Sequence, residues 1–196
     1  MARHRPSGTP FDAAFTGLDD GDPPLAALAP PAFPEALADI SKDSQNLYAE
    51  LMLRHLGHID EDGAAEAGLA RVDTLLEEAG AAPNGHDLFD GSGMSVYNRV
   101  SPRTIVTLLT YAAAQDWGRA WKDTFPIGGV DGSLERRFRG TILEGRIFAK
   151  TGTLKGTNAL SGYLTAASGQ TLTFAIIANE RPLAVSSATP MMDAAL

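Results

Sequence analysis

Apolar residues recur at helical spacing through the middle of the chain and switch to alternation in its last third. In "SKDSQNLYAELMLRHLG", residues 41–57, Leu47, Leu51 and either His55 or Leu56 fall on one helical face, and Gly57 stands where a C-terminal cap would. A second helix is expected across "AAEAGLARVDTLLEEAG", where Leu69, Val72, Leu76 and Ala79 are spaced three and four apart and Gly80 closes the run. "DGSGMSVYN", residues 90–98, is turn chemistry. It leads to Ser101-Pro102, a cap followed by a proline at the first helical position, after which Ile105, Leu108, Leu109 and Ala112 share a face.

The last third reads as strands. "GRIFAK", "LSGYLTAA" and "QTLTFAIIAN" are short, rich in β-formers and separated by Gly and Ser, with Ser168-Gly169 as a two-residue hairpin turn. Leu172, Phe174 and Ile176 alternate with Thr171, Thr173 and Ala175, as expected when two faces of a strand see different surroundings. Helices followed by an antiparallel sheet make an α+β arrangement. Residues 1–40 hold most of the prolines and no sustained helical or alternating period, and read as a linker or lead-in to a domain over 41–196.

Composition narrows the classes. A chain of 196 residues, 44% hydrophobic and 20% charged, is long enough for one globular domain with a real core. With 16 basic and 24 acidic residues the net charge is -8, and with no local basic patch this argues against a nucleic-acid partner. There is no cysteine, so disulfides, thiolate metal sites and thiol nucleophiles are excluded. The start has a basic tip but no apolar run behind it, a poor secretory signal, and no stretch reaches the roughly 20 apolar residues a membrane helix needs.

Two short motifs can carry chemistry. In Lys150-Thr151-Gly152-Thr153, placed after the first strand, an ammonium attracts a carboxylate, two hydroxyls donate to it, and Gly152 lets another backbone come close. An edge strand there also offers backbone pairing to a peptide. Taken alone the run reads as a turn with a solvated lysine. Ser44-Gln45-Asn46 stands at a helix start, where Ser44 or Asp43 can be a plain N-cap, or the Ser44 hydroxyl can move a proton while the Asn46 amide holds a carbonyl. His55, His58, Asp60 and Glu61 cluster without a metal-binding spacing, and read as a solvated helix end. Trp117 and Trp121, four apart, mark a packing face.

Together, Ser-x-Asn and Lys-Thr-Gly are two of three parts of one acyl-transfer site. "SKDSQNLYAELMLRHLG", "DGSGMSVYNRVSP", "FPIGGVDGSLERRF" and "GRIFAKTGTLKGTNALSGYLTAASGQTLTFAIIANE" resemble, in order, blocks of the D-alanyl-D-alanine carboxypeptidase/endopeptidase family, the class C low-molecular-mass penicillin-binding proteins, from about residue 41 to 182. The resemblance implies a penicillin-binding/β-lactamase-like fold and a serine hydrolase. Its substrates would be peptidoglycan stem peptides ending in D-Ala-D-Ala, cleaved through an acyl-enzyme that β-lactam antibiotics mimic. It needs no cofactor and works in the periplasm or outside the cell. It casts Ser44, Asn46 and Lys150 as catalytic, Thr151, Gly152 and Thr153 as substrate-binding, and Asp90 to Ser95 as a shaping segment.

One part is missing from this sequence. The family's nucleophile lies in Ser-x-x-Lys, and no serine here has lysine three positions later. Ser133-Leu134-Glu135-Arg136 comes nearest but ends in arginine, which stays protonated. The resemblance therefore implies a C-terminal part of such an enzyme, with its nucleophile supplied in cis or in trans and some apolar surface left uncovered. A non-catalytic D-Ala-peptide-binding module and a β-lactamase-like hydrolase are the alternatives.

Overall fold

Proline at a first helical turn costs nothing, because the amide it lacks has no partner there, and Pro34 so starts helix α1, Phe33–Lys42. The computed structural model describes residues 32–58, 65–154, 156–180 and 187–196. Most of the expected lead-in, with Asp60 and Glu61, lies outside the described residues. α1 departs from the reading of residues 1–40 as a linker or lead-in without helical period, since the helix begins at Phe33.

Helix α2 runs Asn46–His58 and α3 Ala65–Glu78. Gly80 adopts φ 86° just beyond α3, the left-handed stop expected of it. α2 departs from expectation in two ways. Leu47 and Leu51 are 65% and 52% exposed, while Leu53 and Gly57 are buried, so the inward face is rotated and Gly57 lies inside the helix rather than capping it. The cause is its contact with α3, where a Cβ at Gly68 would stand 2.2 Å from the Leu53 carbonyl oxygen. The two backbones approach closely, and that approach selects which leucines turn in.

A two-residue ladder, β1 (His86–Asp87) against β2 (Arg99–Val100), pins the ends of the loop that contains Asp90–Asn98. Helix α4, Pro102–Ala113, starts as expected: Ser101 Oγ accepts from the Thr104 amide at 3.1 Å, and Leu109 and Ala112 are buried. In α5, Gly118–Asp123, Trp121 stacks edge-on against Phe125 at 5.1 Å, whereas Trp117 is 48% exposed, so only one of the two tryptophans packs.

Strands β3 (Ile147–Leu154), β4 (Thr157–Thr165) and β5 (Thr171–Ala178) form an antiparallel sheet in the order β3-β4-β5. Lys150–Thr153 lies within β3, not after it. The β4–β5 turn, Ala167–Gly169, is one residue longer than expected: Gly169 donates to Ala166 O, Ala166 donates to Gln170 O, and Gly169 takes φ 84°.

One face of the sheet carries Ile147, Ala149, Leu160 and Leu164 into a core with Leu134, Phe138, Leu143 and Met192 of helix α6, Thr189–Ala194. Around the helices, Leu109, Phe125 and Tyr163 form a second cluster, in which the buried Tyr163 hydroxyl donates to Leu109 O at 2.8 Å. Each fully buried side chain of this size contributes about 1.5–3 kcal/mol, so β3 and β4 are rigidly held from both faces. β5 is an edge among the described residues, and Leu172 on it is 42% exposed beside a hollow of about 750 Å³ that also reaches Leu143, Leu164 and Phe174.

Candidate active site

The outer edge of β3 is covered over only half its length. Gly128 donates to Ile147 O and Ala149 donates to Pro126 O, with Ile127 opposite Phe148. From Lys150 onward no strand among the described residues pairs with that edge. A cleft of about 500 Å³ opens there, lined by Ser44, Gln45, Asn46, Gly91–Met94, Lys150–Leu154 and Thr157. The two sequence motifs and the 90–95 segment thus meet in one place, away from the larger hollow at the other end of the sheet.

Ser44 sits in the tight link between α1 and α2. The Asp39 carbonyl accepts from both the Asp43 and Gln45 amides, at 3.2 and 3.3 Å, and this reversal puts Ser44 at φ 58°. A left-handed serine is strained by about 1–3 kcal/mol and is found where surrounding contacts impose it. Its hydroxyl accepts a hydrogen bond from Lys150 Nζ at 2.8 Å. Lys150 also donates to the Thr151 carbonyl at 2.9 Å, which leaves one of its three protons for an oxygen in the cleft. Both acceptors are neutral, and burial lowers the Lys150 pKa below the ordinary lysine value.

Asn46, the first residue of α2, and Gly152 line the same cleft. At Gly152 a Cβ would meet Ala159 Cβ at 3.3 Å, so its lack of a side chain also lets β3 and β4 lie close. Thr153 Oγ1 accepts from Asn158 Nδ2 at 3.4 Å and keeps its own proton to donate; Asn158 Oδ1 in turn accepts from the Ala188 amide at 3.0 Å.

The opposite lip is organised by Asp90. Its carboxylate accepts from the Gly93 and Ser95 amides, from Asn98 Nδ2 at 2.8 Å and from Ser92 Oγ at 3.3 Å. Partial burial alone would raise its pKa, but these bonds outweigh it and hold the carboxyl below its ordinary value. The loop is tied to α2 where the Gly91 amide donates to Glu50 Oε2 at 2.9 Å, and Met94 projects from it, 52% exposed.

Comparison with known proteins identifies the arrangement. The sequence profile of the D-Ala-D-Ala carboxypeptidase 3 (S13) family matches residues 15–195. The chain belongs to that family. It is 38% identical over 164 residues to the D-alanyl-D-alanine carboxypeptidase of Actinomadura sp. strain R39, covering 79% of this chain and 30% of that protein. Against carboxypeptidase DacB of Mycolicibacterium smegmatis it is 36% identical over 152 residues, covering 74% and 33%. The crystal structure of penicillin binding protein 4 (dacB) from Haemophilus influenzae superposes with a TM-score of 0.73 at 30% identity, over 82% of this chain and 37% of that one. The same protein complexed with a β-lactam gives a TM-score of 0.71. The S13 chain spans about a third of the length of the relatives it matches, so its helices and antiparallel sheet are part of a penicillin-binding-type fold.

Sequence reasoning missed three contacts around this S13 cleft. Glu50 fastens the lip, Thr151 Oγ1 donates to Ser133 Oγ at 2.9 Å, and Lys42, two residues before Ser44, forms an ion pair with Asp131. The Asp131-Gly132-Ser133 turn is the signal that was available, as glycine between two polar residues in a block already noted, but nothing local says which partner it meets.

Proposed function

We propose that this chain forms one wall of a serine D-Ala-D-Ala carboxypeptidase/endopeptidase site acting on peptidoglycan stem peptides, with residues 41–196 the C-terminal part of that domain. The observation that carries the reading is the meeting of Lys150 Nζ and Ser44 Oγ at 2.8 Å in a cleft bordered by a free strand edge. A peptide ending in D-Ala lies along Lys150–Thr153, its backbone paired with the open edge of β3. The terminal carboxylate accepts hydrogen bonds from the remaining Lys150 N–H and from the Thr151 and Thr153 hydroxyls. Asn46 holds a substrate carbonyl oxygen through its amide.

A serine hydroxyl then attacks the penultimate D-Ala carbonyl; an ester forms as the C–N bond to the terminal D-Ala breaks, and the leaving amine takes up the proton given up by that serine, passed along the Ser44–Lys150 pair. Water cleaves the ester. The attacking serine belongs to a Ser-x-x-Lys segment, which the 196 residues do not contain, so turnover requires that segment in cis or in trans. β-Lactams enter as mimics of D-Ala-D-Ala. Substrates of this class place the site in the periplasm or outside the cell. A second reading is a module that binds D-Ala-terminated peptides through Lys150 and Thr151 without cleaving them; the β-lactamase alternative is weakened because the relatives matched are carboxypeptidases.

The test is titration of the chain with diacetyl-Lys-D-Ala-D-Ala and with its C-terminal amide, followed by assay of D-Ala release with and without a Ser-x-x-Lys segment of the family. The proposal expects preferential binding of the free acid, and release only when that segment is supplied. Equal affinity for acid and amide contradicts it; preference without release under either condition selects the binding module.

A further inference from the structure

The Thr151 hydroxyl is matched to a second hydroxyl from outside the sheet, Ser133 Oγ, at 2.9 Å. Ser133 is exposed, yet it is presented by backbone held from several directions. It lies in the short 3-10 turn Gly132–Leu134, and Leu134 is fully buried in the core beside Ile147 and Ala149, with its carbonyl accepting from the Gly129 amide at 3.0 Å. On the other side both Asp131 carboxylate oxygens are engaged, Oδ1 by the Ile127 amide at 2.8 Å and Oδ2 by Lys42 Nζ. Gly132 adopts φ 54°, and a Cβ there would meet the Lys42 carbonyl oxygen at 2.8 Å. The turn therefore abuts the helix end that precedes Ser44 while its serine touches the strand that carries Lys150.

We propose that Ser133 is a positioning residue for the carboxylate of the peptide, acting through Thr151; this rests on reading the cleft as a D-Ala-D-Ala site. Without ligand, Thr151 donates to Ser133. When a carboxylate arrives, rotation about the two C–O bonds reverses that bond: Ser133 donates to Thr151, and the Thr151 proton turns to the carboxylate. No heavy atom moves and no proton changes oxygen. A hydroxyl that accepts one hydrogen bond donates a stronger one, so Ser133 both aims and strengthens the Thr151 donor. A hydrogen bond of this kind is worth a few-fold to about tenfold in affinity.

The test compares wild type, Ser133→Ala and Ser133→Thr, all checked by thermal melting, by titration with diacetyl-Lys-D-Ala-D-Ala and its C-terminal amide. Ser133→Ala is expected to weaken binding of the free acid about three- to tenfold and to leave the amide unchanged, and Ser133→Thr, which keeps the hydroxyl, to restore the acid. A merely structural role would weaken both peptides together. Full preference for the acid retained in Ser133→Ala overturns the role of Ser133 alone, as does equal weakening of acid and amide. A wild-type chain with no preference for the acid overturns the reading of the cleft, and the role of Ser133 with it.

Discussion

Ser44 Oγ and Lys150 Nζ, 106 residues apart in sequence, lie 2.8 Å apart across the cleft, and among the described residues the ammonium has only neutral acceptors. Burying a charge without a counter-charge costs stability, so this contact is retained at a cost to the fold. It is the contact on which the proposed site rests.

Replacing Lys150 by Met separates those two effects. Methionine fills a similar volume without the charge, so Lys150→Met is expected to melt at the same temperature or higher, a gain of up to about 1 kcal/mol, while preference for the free-acid peptide is lost. Because the folded pKa of Lys150 lies below its unfolded value, the unfolded chain binds more protons between the two, and this group's contribution to stability rises with pH across that window. Peptide affinity should move the other way, falling as pH rises through the lowered pKa. Melting curves and peptide titrations from pH 7 to 10 check both slopes.

The Lys42–Asp131 pair holds the turn against the end of α1, and Asp131 also accepts from the Ile127 amide. Asp131→Ala removes both and should destabilise by about 1–2 kcal/mol. Lys42→Met should cost less than about 1 kcal/mol, since the pair is partly exposed. The double variant should cost less than the sum, a coupling that urea unfolding of the four proteins measures.

Asp90 organises the opposite lip, and its depressed pKa means that the stability it contributes is full above the ordinary aspartate value and is lost as pH falls through the lower folded one. Hydrogen exchange of the Gly93 and Ser95 amides should remain protected at pH 5 and accelerate, beyond the intrinsic trend, only below about pH 4. In Asp90→Ala those amides should be unprotected at neutral pH too.

Ser101 caps α4 and does not line the cleft. Ser101→Ala should cost about 1 kcal/mol of stability, read as a lower melting temperature, with peptide affinity unchanged.

Legibility followed the range of the interactions. Ser101-Pro102 and the Gly80 stop are written within a few residues of each other and appear as expected; Thr171–Ala178 forms the expected strand, but its burial does not alternate and Leu172 is exposed. α1 was hidden because Pro34 looks alike as breaker and as starter. The inward face of α2 could not be chosen from Leu47, Leu51, Leu53 and Leu56, because leucine surrounds that helix and the choice is made by the Gly68 contact from α3. In the site, Lys-Thr-Gly and Ser-x-Asn could be read because their residue types are tied to a chemistry. Ser133 could not, since its value lies in a partner 18 residues away on another element.

On the proposed reading, the cleft is one wall of a penicillin-binding site whose nucleophile belongs to a Ser-x-x-Lys segment not among these 196 residues. Intact mass spectrometry of the folded chain after incubation with a penicillin tests it directly. The expected result is no covalent adduct on the chain by itself, and one adduct per molecule, on the serine of the added segment, once a Ser-x-x-Lys segment of the family is supplied. A stoichiometric adduct on the chain alone, mapped to one of its own serines, would contradict it.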